Sequence, residues 1–282
     1  MSEYQCYEFV ALDRPLTAEQ MAELRAISTR AEISPTRFWN EYQWGDLDAD
    51  PAKLVERYFD AHLYFASWGA HRLMLRMPKA RVDLKALEPF FVGGHAARLT
   101  STREHVLLDL RSDTEAPEWD EESHDSLAAL SRVRSELMRG DLRPAYLAWL
   151  LAVSAGDLDA DAAEPPVPAG LAELTAAQQA MVELLRIDVD LVSVATRASA
   201  AMPKSDAPFR RWLAALPTEE KDAWLRRAAD DPELGLGGEL LRAFRATTKA
   251  EPHNTRRTVR ELRALVDAQR AKRENADDSS TR

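Results

Sequence analysis

The sequence predicts an α+β fold, in which a small sheet with helices packed on it is followed by an all-helical region. Short runs of alternating apolar residues are interleaved with helical periodicity over residues 4–112. After residue 112 every strong pattern is helical. The stretch from Arg37 to Pro78 holds nine of the 21 aromatic residues. Because aromatic side chains bury the largest apolar areas, this stretch is expected to form the centre of the N-terminal fold.

The N-terminal elements are predicted in the order β-α-β-α-β-α-β-β, which favours a ferredoxin-like sandwich with helices on one face of the sheet. Thr17 and Gln20 have the spacing of a capping box, and Asp50 followed by Pro51 is typical of a helix start. A doubly wound α/β sheet is the alternative, although its strands are usually more uniformly apolar. Strands are expected at 4–12, 37–44, 71–77, 96–102 and 105–112, and helices at 17–30, 50–69 and 82–91.

Composition divides the chain into four parts. An α+β sandwich domain is expected over residues 1–112, an acidic linker over 113–125, a helical region over 126–275 and a disordered tail over 276–282. The linker, DTEAPEWDEESHD, contains seven acidic residues and a proline. Neither it nor the polar tail can bury an apolar face. The sequence leaves open whether the helical region packs on the sandwich domain.

Composition and charge exclude several classes of function. With 282 residues, 45% of them hydrophobic, the chain can bury a substantial core. The single cysteine, Cys6, excludes an intramolecular disulfide framework and a cysteine-rich zinc site. The net charge of −10 disfavours nucleic acid as a partner, because neutralising phosphates takes a positive surface. Without a basic-then-apolar leader or a run of about 20 apolar residues, a cytoplasmic protein with no membrane partner is expected.

Three N-terminal segments carry a resemblance to a known family: YEFVALDRPLTAEQMAELRAIS, TRFWNEYQWGD and DPAKLVERYFDAHLYFASWG. They resemble a family of bacterial proteins to which no activity is assigned, and the resemblance covers residues 4–80. It implies a bacterial cytoplasmic protein and brings with it no activity, cofactor or catalytic residue. The excess of arginine over lysine, 30 to 7, also fits a bacterial genome of biased base composition.

Short motifs point to no metal and no cofactor. GDLDAD occurs at 45–50 and 156–161, with aspartates at the first ligand positions of a calcium loop. The glycine at loop position 6 and the glutamate at position 12 are missing both times. The glycines at 235–238 lack the lysine and the context of a phosphate loop, so a flexible joint between helices is expected there. No histidine pair has the spacing of a zinc site.

Polar residues threaded through the aromatic stretch are the best candidates for a catalytic or ligand-binding site. Burial among aromatic rings can shift the pKa of a carboxylate or an imidazole, as general acid–base chemistry requires. The alternative is structural, with Arg72 and Arg76 pairing with acidic residues across the sheet. The candidates are Glu41, Asp46, Asp60, His62, His71 and Arg72.

The last predicted helix is basic and amphipathic, and it is the candidate surface for a partner. Val259, Leu262, Leu265 and Val266 form its apolar stripe. Such a helix can dock on a protein partner, or it can fold back on the acidic body of its own chain. The basic residues expected to bind a partner are Arg256, Arg257, Arg260, Arg263, Arg270, Lys272 and Arg273.

Three functional hypotheses follow. The leading one is a non-catalytic interaction, adaptor or regulatory protein with a protein partner, because no catalytic constellation is complete and the last helix is basic. The second is a small-molecule-binding protein or an enzyme with its site in residues 38–76. The weakest is RNA binding through an open sheet face on which Trp39 and Met74 are exposed.

Overall fold

Seven antiparallel strands in the N-terminal part of the chain form one sheet. The computed structural model describes residues 4–113, 126–202, 206–230, 235–247 and 256–280. The strands are β1 Gln5–Val10, β2 Glu32–Ser34, β3 Arg37–Tyr42, β4 Ala61–Ala66, β5 Ala70–Pro78, β6 Ala97–Ser101 and β7 His105–Asp113. Their order across the sheet is β2-β3-β1-β4-β5-β7-β6. Helices fill the C-terminal half, so the predicted α+β class is confirmed.

The predicted ferredoxin-like topology is not confirmed, because the strand order differs. The predicted order lacks β2 and β4. With three residues, β2 is too short to show a period of two. The predicted hairpin near residue 103 is present, since β6 and β7 pair with each other.

The segment Ala61–Ala66 is the central strand β4, whereas the sequence pattern predicts the second half of a helix. The helix that begins at Pro51 ends at Arg57. β4 pairs with β1 on one side and with β5 on the other, and five of its six residues are buried. Because both faces of the strand are covered, its residues do not alternate between apolar and polar. Periodicity cannot distinguish such a strand from a buried helix.

The described residues contain eleven α-helices. Their bounds are α1 Ala18–Ile27, α2 Pro51–Arg57, α3 Leu84–Leu87, α4 Ser126–Met138, α5 Arg143–Ala155, α6 Ala176–Leu184, α7 Val189–Thr196, α8 Ala207–Ala215, α9 Thr218–Asp230, α10 Leu236–Thr247 and α11 Val259–Ser280. The two predicted helix starts are present. The Thr17 hydroxyl accepts a hydrogen bond from the Gln20 N–H at 3.2 Å, and Asp50 accepts one from the Ala52 N–H at 2.9 Å.

The sheet lies between two helical layers. On one face α1 and α2 pack over Phe9, Phe38 and Met74. On the other face α4 and α5 pack over Leu63 and Leu75. This second core continues into α6, α7 and α11, so the sheet and the helical region share one hydrophobic core.

The sequence predicts an acidic linker before the helical region and a disordered tail after it. Asp113 ends β7, and the rest of the predicted acidic linker lies outside the described residues. α11 continues to Ser280, beyond residue 276 where the sequence predicts the start of a disordered tail. In the part of the chain that the structure describes, no helix is long and apolar enough to cross a membrane.

Candidate functional site

One face of the sheet is only partly covered by α1 and α2, and polar side chains occupy the uncovered part. Tyr7, Tyr64, Arg72 and Arg111 lie on β1, β4, β5 and β7, each directly opposite the next. Residues directly opposite on antiparallel strands point to the same face, with their side chains within reach of each other. The register therefore builds one row of polar side chains across four strands.

A cavity of about 250 Å³ opens over this row, and we call it the sheet-face cavity. Its lining residues are Tyr7, Pro51, His62, Tyr64, Ala70, His71, Arg72, His95, Arg111 and Asp113. Pro51 is the first residue of α2, so the start of this helix forms one wall. The cavity thus lies at the border between the covered and the uncovered parts of the sheet.

Asp109 holds the two arginines of the row. Arg72 donates to its carboxylate from Nε and Nη2, each at 2.8 Å. Arg111 donates from Nε at 3.3 Å and from Nη2 at 2.9 Å. Burial alone would raise the pKa of Asp109, but the hydrogen bonds and charges of the two arginines hold it below its ordinary value. Asp109 is therefore ionised, and it balances only one of the two guanidinium charges.

The two tyrosines of the row present neutral hydroxyl groups. The Tyr7 hydroxyl donates to Asp46 Oδ1 at 2.5 Å, and the Tyr64 hydroxyl donates to Gln5 Oε1 at 2.9 Å. Burial and the hydrogen bond to Asp46 raise the pKa of Tyr7. Burial, with the nearby charges of Asp46 and Asp113, raises the pKa of Tyr64 to about 12. Both hydroxyls thus stay un-ionised, and since each has already donated its single O–H, each can still accept a hydrogen bond.

His62 is a neutral imidazole with one unused nitrogen. Its Nδ1 lies 2.9 Å from the carbonyl oxygen of Glu8, and since a carbonyl can only accept, Nδ1 carries the hydrogen. Its Nε2 is buried and has no hydrogen-bond partner among the residues that the structure describes. Burial lowers the pKa of His62 to about 3. Burial, with the charge of Arg186, also lowers the pKa of His71 to about 4.

The structure brings together part of the predicted candidate set. His62, His71 and Arg72 line the cavity, and Asp46 reaches it through its hydrogen bond with Tyr7. The other two candidates, Glu41 and Asp60, lie elsewhere.

Glu41 is exposed and lies opposite Cys6, which belongs to the core on the other face of the sheet. Asp60 accepts from the N–H groups of Leu12 and Asp13 at 2.7 and 2.9 Å, and from Arg76 at 2.8 Å. Its pKa is lowered, because these donors outweigh the effect of burial. The predicted set of acids and bases is therefore not assembled at one place.

Sequence reasoning missed four residues of the site: Tyr7, Tyr64, Asp109 and Arg111. Tyr7 and Tyr64 are 57 residues apart in sequence, and only the pairing of β1 with β4 brings them together. One signal was present, because Asp109, Arg111 and Asp113 alternate along β7 with buried residues. Such alternation indicates a polar strand face.

The basic residues of the C-terminal segment mostly contact the chain itself. Arg257, Arg260, Arg263, Arg270 and Arg273 contact, in turn, Glu164, Asp161, the carbonyl of Val153, Asp188 with Asp190, and Asp190. In the described residues, Arg256 and Lys272 have no hydrogen-bond or ion-pair partner. Of the apolar stripe, Val259, Leu262 and Val266 are buried in the main core, whereas Leu265 is 42% exposed. The partner-binding role of these seven residues stays a prediction.

The sheet does not present the surface that the RNA hypothesis requires. Met74 is buried under α2. Trp39 lies on the opposite face, where it packs against the larger core. Trp39 and Met74 therefore do not form an open stacking platform. In the described part of the chain, no three His, Cys, Asp or Glu side chains are grouped to hold a metal ion.

Comparison of the chain with protein-family models, with curated proteins and with solved structures gave no match.

Proposed function

We propose that this protein binds a small anionic molecule in the sheet-face cavity. The observation that supports this proposal is the arrangement of Arg72 and Arg111 around Asp109. Two guanidinium groups share one carboxylate, so one positive charge is left over. In both arginines Nη1 has no hydrogen-bond partner in the described chain. Paired guanidinium groups of this kind suit a carboxylate or a phosphate, because their planar donors match its oxygens.

The remaining lining residues fit a molecule of metabolite size. A cavity of about 250 Å³ is slightly smaller than the roughly 300–1,000 Å³ that accommodates drug-sized ligands. The oxygens of the Tyr7 and Tyr64 hydroxyls lie beside the arginines and can accept a hydrogen bond from an uncharged N–H or O–H group of the molecule. Asp113 also lines the cavity, but it is exposed, and water screens its charge.

Binding is favoured over catalysis because Asp109, the buried carboxylate beside the cavity, is not set up to act as a general acid. The pKa of Asp109 is lowered and its oxygens are occupied by arginine. A carboxylic acid that delivers a proton at neutral pH needs a raised pKa instead. Of the described residues lining the cavity, none is a cysteine or a serine that could act as a nucleophile.

The experiment is a titration of purified full-length protein with benzoate, succinate, phosphate and sulfate by isothermal calorimetry. At least one of these anions is expected to bind, and Arg111→Met should weaken that binding at least tenfold. Arg111→Met leaves Asp109 paired with Arg72, so the fold should persist. Arg260→Met, which removes an exposed arginine outside the cavity, is the matched control. The proposal fails if none of the four anions binds, or if Arg111→Met and Arg260→Met bind equally.

Docking of a protein partner is a second proposed function, favoured by two exposed tryptophans. Trp44 is 86% exposed and Trp68 is 47% exposed. Gln5 pairs with one residue of β3 and one residue of β4, and each of these two residues lies two positions before one of the tryptophans. Both tryptophans therefore lie at the same end of the sheet. Exposed aromatic residues are enriched at protein interfaces. In affinity purification from the native host, Trp44→Ser with Trp68→Ser should lose partners that the control Leu225→Ser retains.

A further inference from the structure

A second cavity, of about 470 Å³, lies between the end of α4 and the start of α10. We call it the arginine cavity, because Arg81, Arg139 and Arg242 line it. It shares no lining residue with the sheet-face cavity. The glycine-rich segment at 235–238, for which the sequence predicts only a flexible joint, forms part of its wall.

The charges of the arginine cavity are unbalanced. Among the described residues that line it, Glu239 is the one acid, and it pairs with Arg242 and also with Arg227. Arg81 has no hydrogen-bond or ion-pair partner in the described chain. Within the described ranges, Arg139 uses Nε alone, which donates to the carbonyl of Ser135 at 3.1 Å. In a chain with a net charge of −10, three arginines against one glutamate are a local excess of two positive charges.

The pKa of Arg242 also reflects the positive charges around it. Burial lowers its pKa, and the nearby charges of Arg227 and Arg81 add to that effect against the opposing charge of Asp83. Like charges that face one cavity repel each other unless an anion lies between them. An anion placed between these arginines would relieve the repulsion between them.

The glycines let the backbone approach the arginines closely. Gly235 has a φ of +62°, and a Cβ there would lie 2.7 Å from Nη2 of Arg81. A Cβ on Gly238 would lie 3.2 Å from the carbonyl oxygen of Met138. A larger residue at Gly235 would thus displace the guanidinium group of Arg81. Glycine keeps that group at the cavity wall.

Apolar groups complete the lining. Met138, Leu236 and Leu241 lie beside the arginines. A ligand that fits both surfaces carries a doubly charged head and a small apolar body. A phosphate monoester meets this description, because its phosphate carries about −1.5 to −2 charges at pH 7. This charge matches the local excess of two positive charges.

We propose that the arginine cavity binds the phosphate group of a small organic phosphate monoester. Arg81 and the Nη groups of Arg139 hold the phosphate oxygens, since these donors have no acceptor within the described residues. Arg242 adds a third positive charge while Glu239 keeps it in place. Met138 and Leu241 contact the organic part of the ligand.

Phenyl phosphate is a suitable probe, with ³¹P NMR line broadening and isothermal calorimetry on the full-length protein as readouts. Phenyl phosphate is expected to bind, whereas phenol is not. Arg81→Met and Arg139→Met should each weaken binding at least tenfold. Neither arginine forms an ion pair with any residue that the structure describes, so both variants should fold, which circular dichroism can verify. Arg260→Met is the control and should bind as the unmodified protein does.

Three results would overturn the proposal. The first is the absence of binding at millimolar phenyl phosphate. The second is unchanged affinity in both Arg81→Met and Arg139→Met. The third is loss of binding in Arg111→Met with binding intact in Arg81→Met, which would place the anion in the sheet-face cavity instead.

Discussion

The imidazole of His62 stacks on the ring of Phe9, with ring centroids 4.0 Å apart and planes inclined by 17°. The two residues lie directly opposite each other on β4 and β1, at the centre of the sheet. An aromatic neighbour and full burial leave a charged imidazolium without solvation. His62 therefore stays neutral in the folded protein over most of the pH range in which a free histidine titrates.

The first prediction concerns acid stability. Unfolding returns His62 and His71 from pKa values of about 3 and about 4 toward 6.5. The unfolded chain then binds more protons than the folded one between pH 6.5 and 4, so stability falls as the pH falls through this window. The slope should approach about 1.4 kcal/mol per pH unit for each histidine. Urea unfolding at pH 7, 6 and 5 measures it.

The variant His62→Phe is the control for this pH dependence. It keeps the ring stack on Phe9 and removes one titrating group. Its stability should therefore fall less steeply with decreasing pH, by the equivalent of one proton. An identical slope in His62→Phe and the unmodified protein would show that His62 is not the group responsible.

The second prediction concerns the carboxylate that is shared by Arg72 and Arg111. Asp109→Asn removes the negative charge and leaves two partly buried guanidinium groups facing each other. We expect a loss of about 2 kcal/mol in the free energy of unfolding. Asp113→Asn changes an exposed carboxylate on the same strand and should cost no more than about 0.5 kcal/mol. Equal effects of the two substitutions in urea unfolding would contradict the pairing seen here.

The third prediction tests the central position of β4. Leu63 is buried between the sheet and the helical region, so Leu63→Ala should cost about 3 kcal/mol through lost burial and a residual cavity. Leu225→Ala removes the same atoms from a side chain that is 63% exposed, and its effect should stay within about 0.5 kcal/mol. Thermal and urea unfolding of the two variants would distinguish them. A mild effect of Leu63→Ala would mean that this strand is not central.

The fourth prediction concerns the attachment of the C-terminal segment. Arg257 donates to Glu164 through two bonds of 2.7 Å, and the Tyr146 hydroxyl donates to the same carboxylate. Glu164 is buried, so Arg257→Met leaves its charge uncompensated and should cost about 3 kcal/mol. Amide hydrogen exchange of residues 256–280 should be faster in this variant than in the unmodified protein.

Arg260→Met is the matched control for this variant. Arg260 belongs to the same segment, but it and its partner Asp161 are both exposed. Exposed ion pairs contribute about 0–1 kcal/mol. If the exchange rates of Arg257→Met and Arg260→Met were the same, the buried ion pair would not be what holds the segment.

The fold class followed from the sequence because α1 and strands such as β3 and β7 have clear local signals. The spacing of Thr17 and Gln20 is enough to predict the start of α1. The strand β4 gives no such signal. It is paired on both edges and covered on both faces, so its sequence lacks the polar residues that alternate with apolar ones in a half-buried strand. The strand order depends on pairings such as Phe9 with His62, which no local pattern contains.

The candidate site was predictable only in part for the same reason. His62, His71 and Arg72 lie close together in the sequence, and this cluster of polar residues among aromatic ones predicts a site. Arg111 and Asp109 enter the site through the pairing of β5 with β7, which places Arg72 opposite Arg111. Asp60 looked equally suitable for chemistry, yet its oxygens are used by backbone N–H groups and by Arg76. Hydrogen-bond partners of this kind depend on the tertiary structure.

The shared core between the sheet and the helical region has a consequence for synthesis on the ribosome. The helices α1 and α2 emerge together with the strands they cover, whereas the helices over Leu63, Leu73 and Leu75 begin only with α4. The core is complete only after α11, which contributes Val266, has been synthesised. Until then the newly made sheet exposes one apolar face, the kind of surface on which unfinished chains aggregate and chaperones act.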